Sequence, residues 1–333
     1  MCLRYLKQEE KNASRQLYET CFPEDTQKFV DYYYREKCRD NEIIVLEQDG
    51  SIYSMIHANP FEVSCCGCCT WVHYLVAVAT DPCCRRKGYM RQLLQKLLQD
   101  QWNRKEAFSF LMPASPAYYE PFGFRYWNHQ CVWELGRKDT EKLHRRCEEK
   151  TGKRADGEEA LLAEVSNEIL QKKFDLYILR DASYYERIKK EQKSEDGDVV
   201  CLYDRNGRLT GSVCYSMEDG FETREPLFEP GTVLSGEPEE MHVQERREPL
   251  MMGRVIHLPT FVKMLRFTEV YEETLQIRDE LLPDNNGCYR IYIDSTGGTA
   301  EKVEQCENAR AMDIAIFGQQ MFDRLKIFVN ELV

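Results

Sequence analysis

The chain has 333 residues, 42% of them hydrophobic, enough for two or three domains that each bury a core. Its 45 basic and 57 acidic residues leave a net charge of −12, which argues against nucleic acid or an anionic membrane as the main partner and favours cationic small molecules. No apolar run approaches the ~18 residues of a membrane span, and the opening MCLRYLKQEEKN is charged too early for a secretory signal, so a cytoplasmic location with reduced thiols is expected.

In chain order, residues 9–20 and 25–38 have helical composition, and ETCFPED breaks them apart. NEIIVLEQDGSIYSMIHA then reads as two strands joined at Asp49-Gly50, a strong hairpin signal. After Pro60, FEVSCC and CCTWVHYLVAVAT read as a second pair of strands meeting at Gly67. The glycine is flanked by Cys65, Cys66, Cys68 and Cys69. These do not form the two well-separated ligand pairs of a zinc site, neighbours along a strand face opposite ways, and the six histidines show no ligand spacing. The reading is a cysteine-rich hairpin turn, with no metal. Fifteen cysteines, an odd total scattered from Cys2 to Cys306, do not read as a disulfide framework.

The segment VAVATDPCCRRKGYMRQLLQKLLQ carries the most chemistry. Strand-like alternation stops at Thr80, Asp81-Pro82 breaks it, and Met90, Leu93, Leu94, Leu97 and Leu98 recur at helical spacing. A strand therefore feeds a loop, Arg85-Arg86-Lys87-Gly88, that feeds an amphipathic helix. Free N–H groups at the helix start, the missing Cβ of Gly88 and three adjacent cations suit a pyrophosphate. Cys83 and Cys84, beside Arg85 and Arg86, are expected to be reactive thiols.

AFSFLM follows as a short buried strand, and then PASPAYYEPFGFRYW. Together, VATDPxxRRKGxM and YYEPFGF resemble the coenzyme A motif and the next strand-helix unit of the GCN5-related N-acetyltransferase (GNAT) superfamily. Over nearly the whole chain the order of elements resembles the enhanced-intracellular-survival (Eis) type within it, although only the first 135 residues match motif by motif. Met90 stands where the superfamily often has Gly or Ala.

The resemblance implies an α+β chain in three parts: a GNAT domain at 1–136, a degenerate GNAT-like domain at 137–245, and a sterol-carrier-like domain at 246–333. It implies acetyl-CoA as co-substrate, a cationic amine as acceptor (aminoglycoside-like, polyamine-like or a lysine) and a homo-oligomer. Val78, Ala79 and Thr80 match the strand whose backbone pairs with the pantetheine arm. Arg86, Lys87, Gly88, Tyr89, Met90 and Arg91 match the pyrophosphate loop, and Ala114 and Ser115 match coenzyme contacts where the strands splay. Tyr119 matches the general acid that protonates the leaving thiolate, with Tyr118 as its neighbour and competitor. The base implied is the C-terminal carboxylate, on Val333, held by packing of Ile327, Phe328 and Leu332.

The remainder says less. Residues 137–157 are highly charged and read as an exposed helix or linker. KFDLYILRDASYYERIKKEQ and VVCLYDRNGRLTGSVCYSM read as strand, helix and a hairpin turned at Asn206-Gly207; no RxxGx loop occurs there, so no coenzyme is expected. GRVIHLPTFVKMLRF and MDIAIFGQQMFDRLKIFVNEL resemble the opening and closing segments of a sterol-carrier domain, with the apolar stripe read as core. Glu24 and Asp25 are candidate walls of an amine pocket or helix caps. A non-catalytic acyl-CoA or lipid sensor is the alternative function.

Overall fold

The computed structural model describes residues 1–149, 153–218, 220–234, 236–304 and 309–330. The first part contains β1 (Cys2–Tyr5), α1 (Arg15–Cys21), α2 (Gln27–Glu36), β2 (Glu42–Gln48), β3 (Ser51–Cys65), β4 (Cys68–Thr80), α3 (Tyr89–Asn103), β5 (Phe108–Leu111), α4 (Pro116–Tyr119), β6 (Arg125–Tyr126) and β7 (Cys131–Leu135). Next come α5 (Arg137–Glu148), α6 (Glu159–Lys173), β8 (Leu176–Ile178), α7 (Ala182–Ser194), β9 (Asp198–Asp204), β10 (Leu209–Ser216), β11 (Glu222–Phe228), β12 (Thr232–Val233) and β13 (Val243–Arg247). The last part holds β14 (Met252–Val255), α8 (Leu258–Met264), β15 (Tyr271–Arg278), β16 (Gly287–Ile293), β17 (Gly298–Val303), β18 (Arg310–Asp313), α9 (Ile314–Phe322) and β19 (Ile327–Phe328).

The main sheet runs β1-β2-β3-β4-β5-β14-β6. Its first hairpin turns at Asp49 and Gly50, both with positive φ, and its second at Cys66 and Gly67, at φ 49° and 79°. Both turns sit where the sequence placed them. The expected break after Pro60 does not occur, because β3 runs through it. Pairing of β3 with β2 ends at Ala58 and pairing with β8 begins at Val63, so the N–H that Pro60 lacks falls in a gap where no ladder bond is lost.

Helix α3 buries Leu93, Leu94, Leu97 and Leu98 against this sheet, each contributing about 1.5–3 kcal/mol. The strand Met252–Val255 is inserted antiparallel between β5 and β6, far from its neighbours in sequence. One continuous core consequently joins Phe108 and Trp127 of the first part to Phe261 and Phe322 of the last. The second part is held to the first by a buried pair, Lys37 with Glu191 at 2.9 Å, and Glu191 also accepts the hydroxyl of Tyr32. The expected hairpin at Asn206-Gly207 joins β9 to β10.

The expectation of thiols reduced throughout is corrected at one position: Cys288, at the start of β16, is disulfide-bonded. Sequence spacing alone does not say which cysteines a fold brings together. The hairpin cysteines and Cys83 and Cys84 are free. Among the described residues no helix is long and apolar enough to cross a membrane, and no group of three or more His, Cys, Asp or Glu side chains is placed to hold a metal.

Candidate active site

The site begins with an irregularity in β4. Its register with β3 passes from Met55↔Ala79 to His57↔Val76, so β4 carries one extra residue, and Ala77 takes φ 47° to accommodate it. A bulge of this kind bends the strand. Parallel pairing of β4 with β5 is confined to His73↔Ser109 and Tyr74↔Phe110. Beyond that the strands diverge, leaving the β5-facing edge of Val78, Ala79 and Thr80 open to an extended ligand that pairs as an added strand does.

The loop after β4 is set by Asp81, whose carboxylate accepts the N–H of Cys83 at 2.8 Å and whose carbonyl accepts that of Cys84 at 2.8 Å. Arg86 (φ 64°) and Gly88 (φ 76°) then turn the chain into α3, with Gly88 as its N-cap. A Cβ on Gly88 would meet no atom within 4 Å, so the space beside it is open. The first N–H groups of α3 have no intrahelical acceptor. Arg85, Arg86, Lys87 and Arg91 are exposed around them, Arg85 also donating to the Thr80 carbonyl at 3.3 Å and Arg91 lying 5.0 Å over the Phe122 ring.

These elements enclose a cleft of about 660 Å³. Val78, Ala79, Thr80, Arg86, Gly88, Tyr89, Met90 and Arg91 line it together. Lys87, Ala114, Ser115 and the expected acid Tyr119 do not line it; Ser115 is the N-cap of α4, after β5. Arg85, part of the expected basic run, and Tyr118, the expected competitor of Tyr119, line it too. Cys21 at the end of α1, Phe22 just after it and Phe122 were missed; Cys21 and Phe22 carried no signal.

The two tyrosines separate clearly. Tyr118 is 62% exposed and lines the cleft, whereas Tyr119 is 7% exposed, its ring packed edge-on to Phe124 at 6.2 Å. Burial, with a smaller contribution from Tyr118, pushes the Tyr119 hydroxyl up to about 12, so it stays protonated near neutral pH. That hydroxyl has no hydrogen-bond partner among the described residues.

Glu24 and Asp25 do not line the cleft; Asp25, in the loop between α1 and α2, accepts the Tyr18 hydroxyl at 2.7 Å. Burial raises the Asp25 carboxyl above its usual range, and the charges of Glu24 and of Glu218, from the second part of the chain, raise it further. Thr26, not Asp25, caps α2. Val333 and Leu332 lie outside the described residues. The chain leading to them is firmly held: Ile327, Phe328 and Val329 are buried, and the buried Gln130 side chain donates to the Val329 carbonyl and to Asn330 Oδ1 at 3.2 Å.

Of the expected reactive thiols, Cys83 is exposed, while Cys84 is buried in the cleft wall 3.7 Å from Lys87 Nζ. Saturating coenzyme A should slow alkylation of Cys84 severalfold, read by peptide mass spectrometry, and leave the distant Cys2 unaffected. Equal Cys84 labelling with and without coenzyme would place the ligand elsewhere.

The open β4 edge, the uncrowded Gly88 and the surrounding cations together fit a long molecule with an anionic pyrophosphate. Comparison with known proteins agrees. Residues 3–127 match the model of an acetyltransferase (GNAT) domain, and residues 258–324 that of a sterol carrier protein domain. No curated protein matches. Among solved structures, a conserved protein of Enterococcus faecalis V583 is similar over 100% of this chain and 99% of its own, with TM-score 0.73 and 18% identity. A GCN5-related N-acetyltransferase of Kribbella flavida is similar over 100% of both chains (0.71, 12%), and Eis1 of Mycobacterium abscessus over 97% of this chain and 90% of its own (0.66, 12%). At such identities these likenesses show the shared fold. The family-model matches add that residues 3–127 form an acetyltransferase (GNAT) domain and residues 258–324 a sterol carrier protein domain.

Proposed function

We propose that the chain transfers the acetyl group of acetyl-CoA to a primary amine of a cationic small molecule, aminoglycoside- or polyamine-like, or of a lysine. The observation that carries this is the bulge at Ala77, which opens β4 from β5 directly beside a basic, glycine-turned loop. Bound acetyl-CoA supplies an activated thioester. The edge of Val78, Ala79 and Thr80 aligns its arm, and the N–H groups after Gly88, with Arg86, Lys87, Tyr89, Met90 and Arg91 around them, hold the pyrophosphate. Ala114 and Ser115, which follow β5 and lie outside the cleft lining, are assigned to the far side of the arm.

Tyr119 is the general acid. Its buried hydroxyl, which has no hydrogen-bond partner among the described residues, supplies the proton that the departing sulfur requires. Alkylamines are mostly protonated near neutral pH, so the acceptor must also lose a proton. The α-carboxylate of Val333 takes that role, supported by the clamp of Gln130 on Val329 and Asn330. Glu24 and Asp25, in the loop that follows the cleft residues Cys21 and Phe22, are the candidate acidic wall for the acceptor, in keeping with the charge of −12. The reading includes an Eis-like cytoplasmic homo-oligomer in three parts, 1–136, 137–245 and 246–333, with the strand Met252–Val255 completing the sheet of the first.

Appending glycines after Val333 should leave acetyl-CoA binding and melting temperature unchanged but lower turnover severalfold, most at lower pH where less amine is unprotonated. Full turnover from pH 6 to 9 in such a protein would move the base to Asp25, Glu24 or water. The acceptor class is tested by incubating the protein with acetyl-CoA and, separately, spermidine, an aminoglycoside and a lysine peptide. A product heavier by one acetyl group is expected with at least one. Tight acetyl-CoA binding with no acetylation of any would favour a sensor instead.

A further inference from the structure

The acetyltransferase chemistry makes no use of the cysteine hairpin. Its turn is two residues long, Cys66 and Gly67, both with positive φ, so Cys65 and Cys68 are directly paired across it. Opposed residues of an antiparallel pair lie about 4.5–5.5 Å apart at Cα, within the roughly 4.4–6.8 Å that a disulfide spans. Adjacent residues, about 3.8 Å apart, fall short of it, which disfavours a bond between Cys65 and Cys66.

A cation is already in place. Arg266, in the segment after α8, brings Nη2 to 3.2 Å from Cys68 Sγ, and its other guanidinium nitrogen is fixed by the carbonyls of Lys263 and Leu265 at 2.9 Å. Cys68 is partly exposed and Cys65 is buried behind it. Cys66 shares the environment: its hydrogen bond with Cys65 holds the Cys66 thiol below the ordinary range and, together with burial, keeps the Cys65 thiol well above it, while Arg266 lowers Cys66 further. Thiolates beside a guanidinium and within reach of solvent are the reactive form of cysteine.

We infer that the tip of the β3–β4 hairpin is a thiol-oxidation site, at which a hydroperoxide converts Cys65 and Cys68 to a disulfide. The Cys68 thiolate attacks the outer peroxide oxygen, the O–O bond breaks, and the alkoxide takes a proton to leave as an alcohol, or as water from hydrogen peroxide. Cys68 is now a sulfenic acid. The Cys65 thiol loses its proton and attacks the Cys68 sulfur, the S–O bond breaks, and the hydroxide leaves with that proton as water. Two thiols are oxidised and one peroxide is reduced. Arg266 stabilises the attacking thiolate, and the tip is steadied by the Cys66 N–H, which donates to the Asp175 carbonyl.

The test treats the full chain with dilute hydrogen peroxide, alkylates the remaining thiols and locates them by fragmentation mass spectrometry. Cys65 and Cys68 should lose alkylation together and regain it after reductant, while Cys66 and Cys69 stay alkylated. Cys68→Ser should abolish the reversible protection of Cys65. Arg266→Met should slow the loss at least fivefold, with Cys83 labelling as the internal rate standard and a melting curve confirming the fold. Persistent alkylation of both cysteines, protection of a different pair, or an unchanged rate in Arg266→Met would overturn the inference. None of these residues lines the acetyl-CoA cleft, so the outcome is independent of acetyl transfer.

Discussion

Tyr119→Phe is expected to lower turnover by roughly 10²-fold or more while leaving acetyl-CoA affinity unchanged. The substitution keeps the ring that packs on Phe124 and removes only the hydroxyl, which has no hydrogen-bond partner to lose among the described residues. Because burial pushes that hydroxyl up to about 12, it remains a proton donor across pH 6 to 9, and the rate should show no alkaline fall from its ionisation in that range. Tyr118→Phe is the necessary companion. Tyr118 lines the cleft but is 62% exposed, and its loss should cost at most a few-fold. Steady-state kinetics of the two variants, with acetyl-CoA binding measured by calorimetry, decide between them. If the Tyr118 variant is the crippled one, the acid is the exposed residue and Tyr119 is only packing.

Gly88→Glu is expected to weaken acetyl-CoA binding at least tenfold, about 1.4 kcal/mol. Two effects act in the same direction. Gly88 has φ 76°, a conformation that L side chains rarely adopt, and the open space beside it is the proposed pyrophosphate site. A carboxylate there adds like charge next to the phosphates and offsets Arg85 and Arg86. A Gly88→Ala variant separates the two, since it carries the strain without the charge and should lose less. Binding is read by calorimetry, with thermal unfolding confirming the fold. Unchanged affinity in folded Gly88→Glu would remove the loop from the site.

What the sequence disclosed was local. Turn chemistry at Asp49-Gly50, Gly67 and Asn206-Gly207 fixed three hairpins, because a positive φ is a property of the residues at the turn. The leucines of α3 fixed a helix and its buried face for the same reason. Long-range facts were silent. Nothing in Met252–Val255 says that it inserts between β5 and β6, because pairing partners are chosen by tertiary packing. The bulge that opens the cleft sits at Ala77, an alanine without any turn signature. Helix α6, Glu159–Lys173, went unanticipated because its apolar residues come in adjacent pairs such as Leu161-Leu162, of which the first is exposed. In the site, the basic loop was legible from its composition. The relative burial of Tyr118 and Tyr119 was not, since it depends on how α4 sits over Phe122 and Phe124.

The most direct test measures free thiol released from acetyl-CoA by the full chain, with a polyamine or aminoglycoside present or absent. Amine-dependent release is expected, matched one for one by acetylated amine, and lost together with acetyl-CoA binding in Gly88→Glu. Release no faster with any amine than without, by a folded protein that binds acetyl-CoA, would contradict acetyl transfer at this cleft.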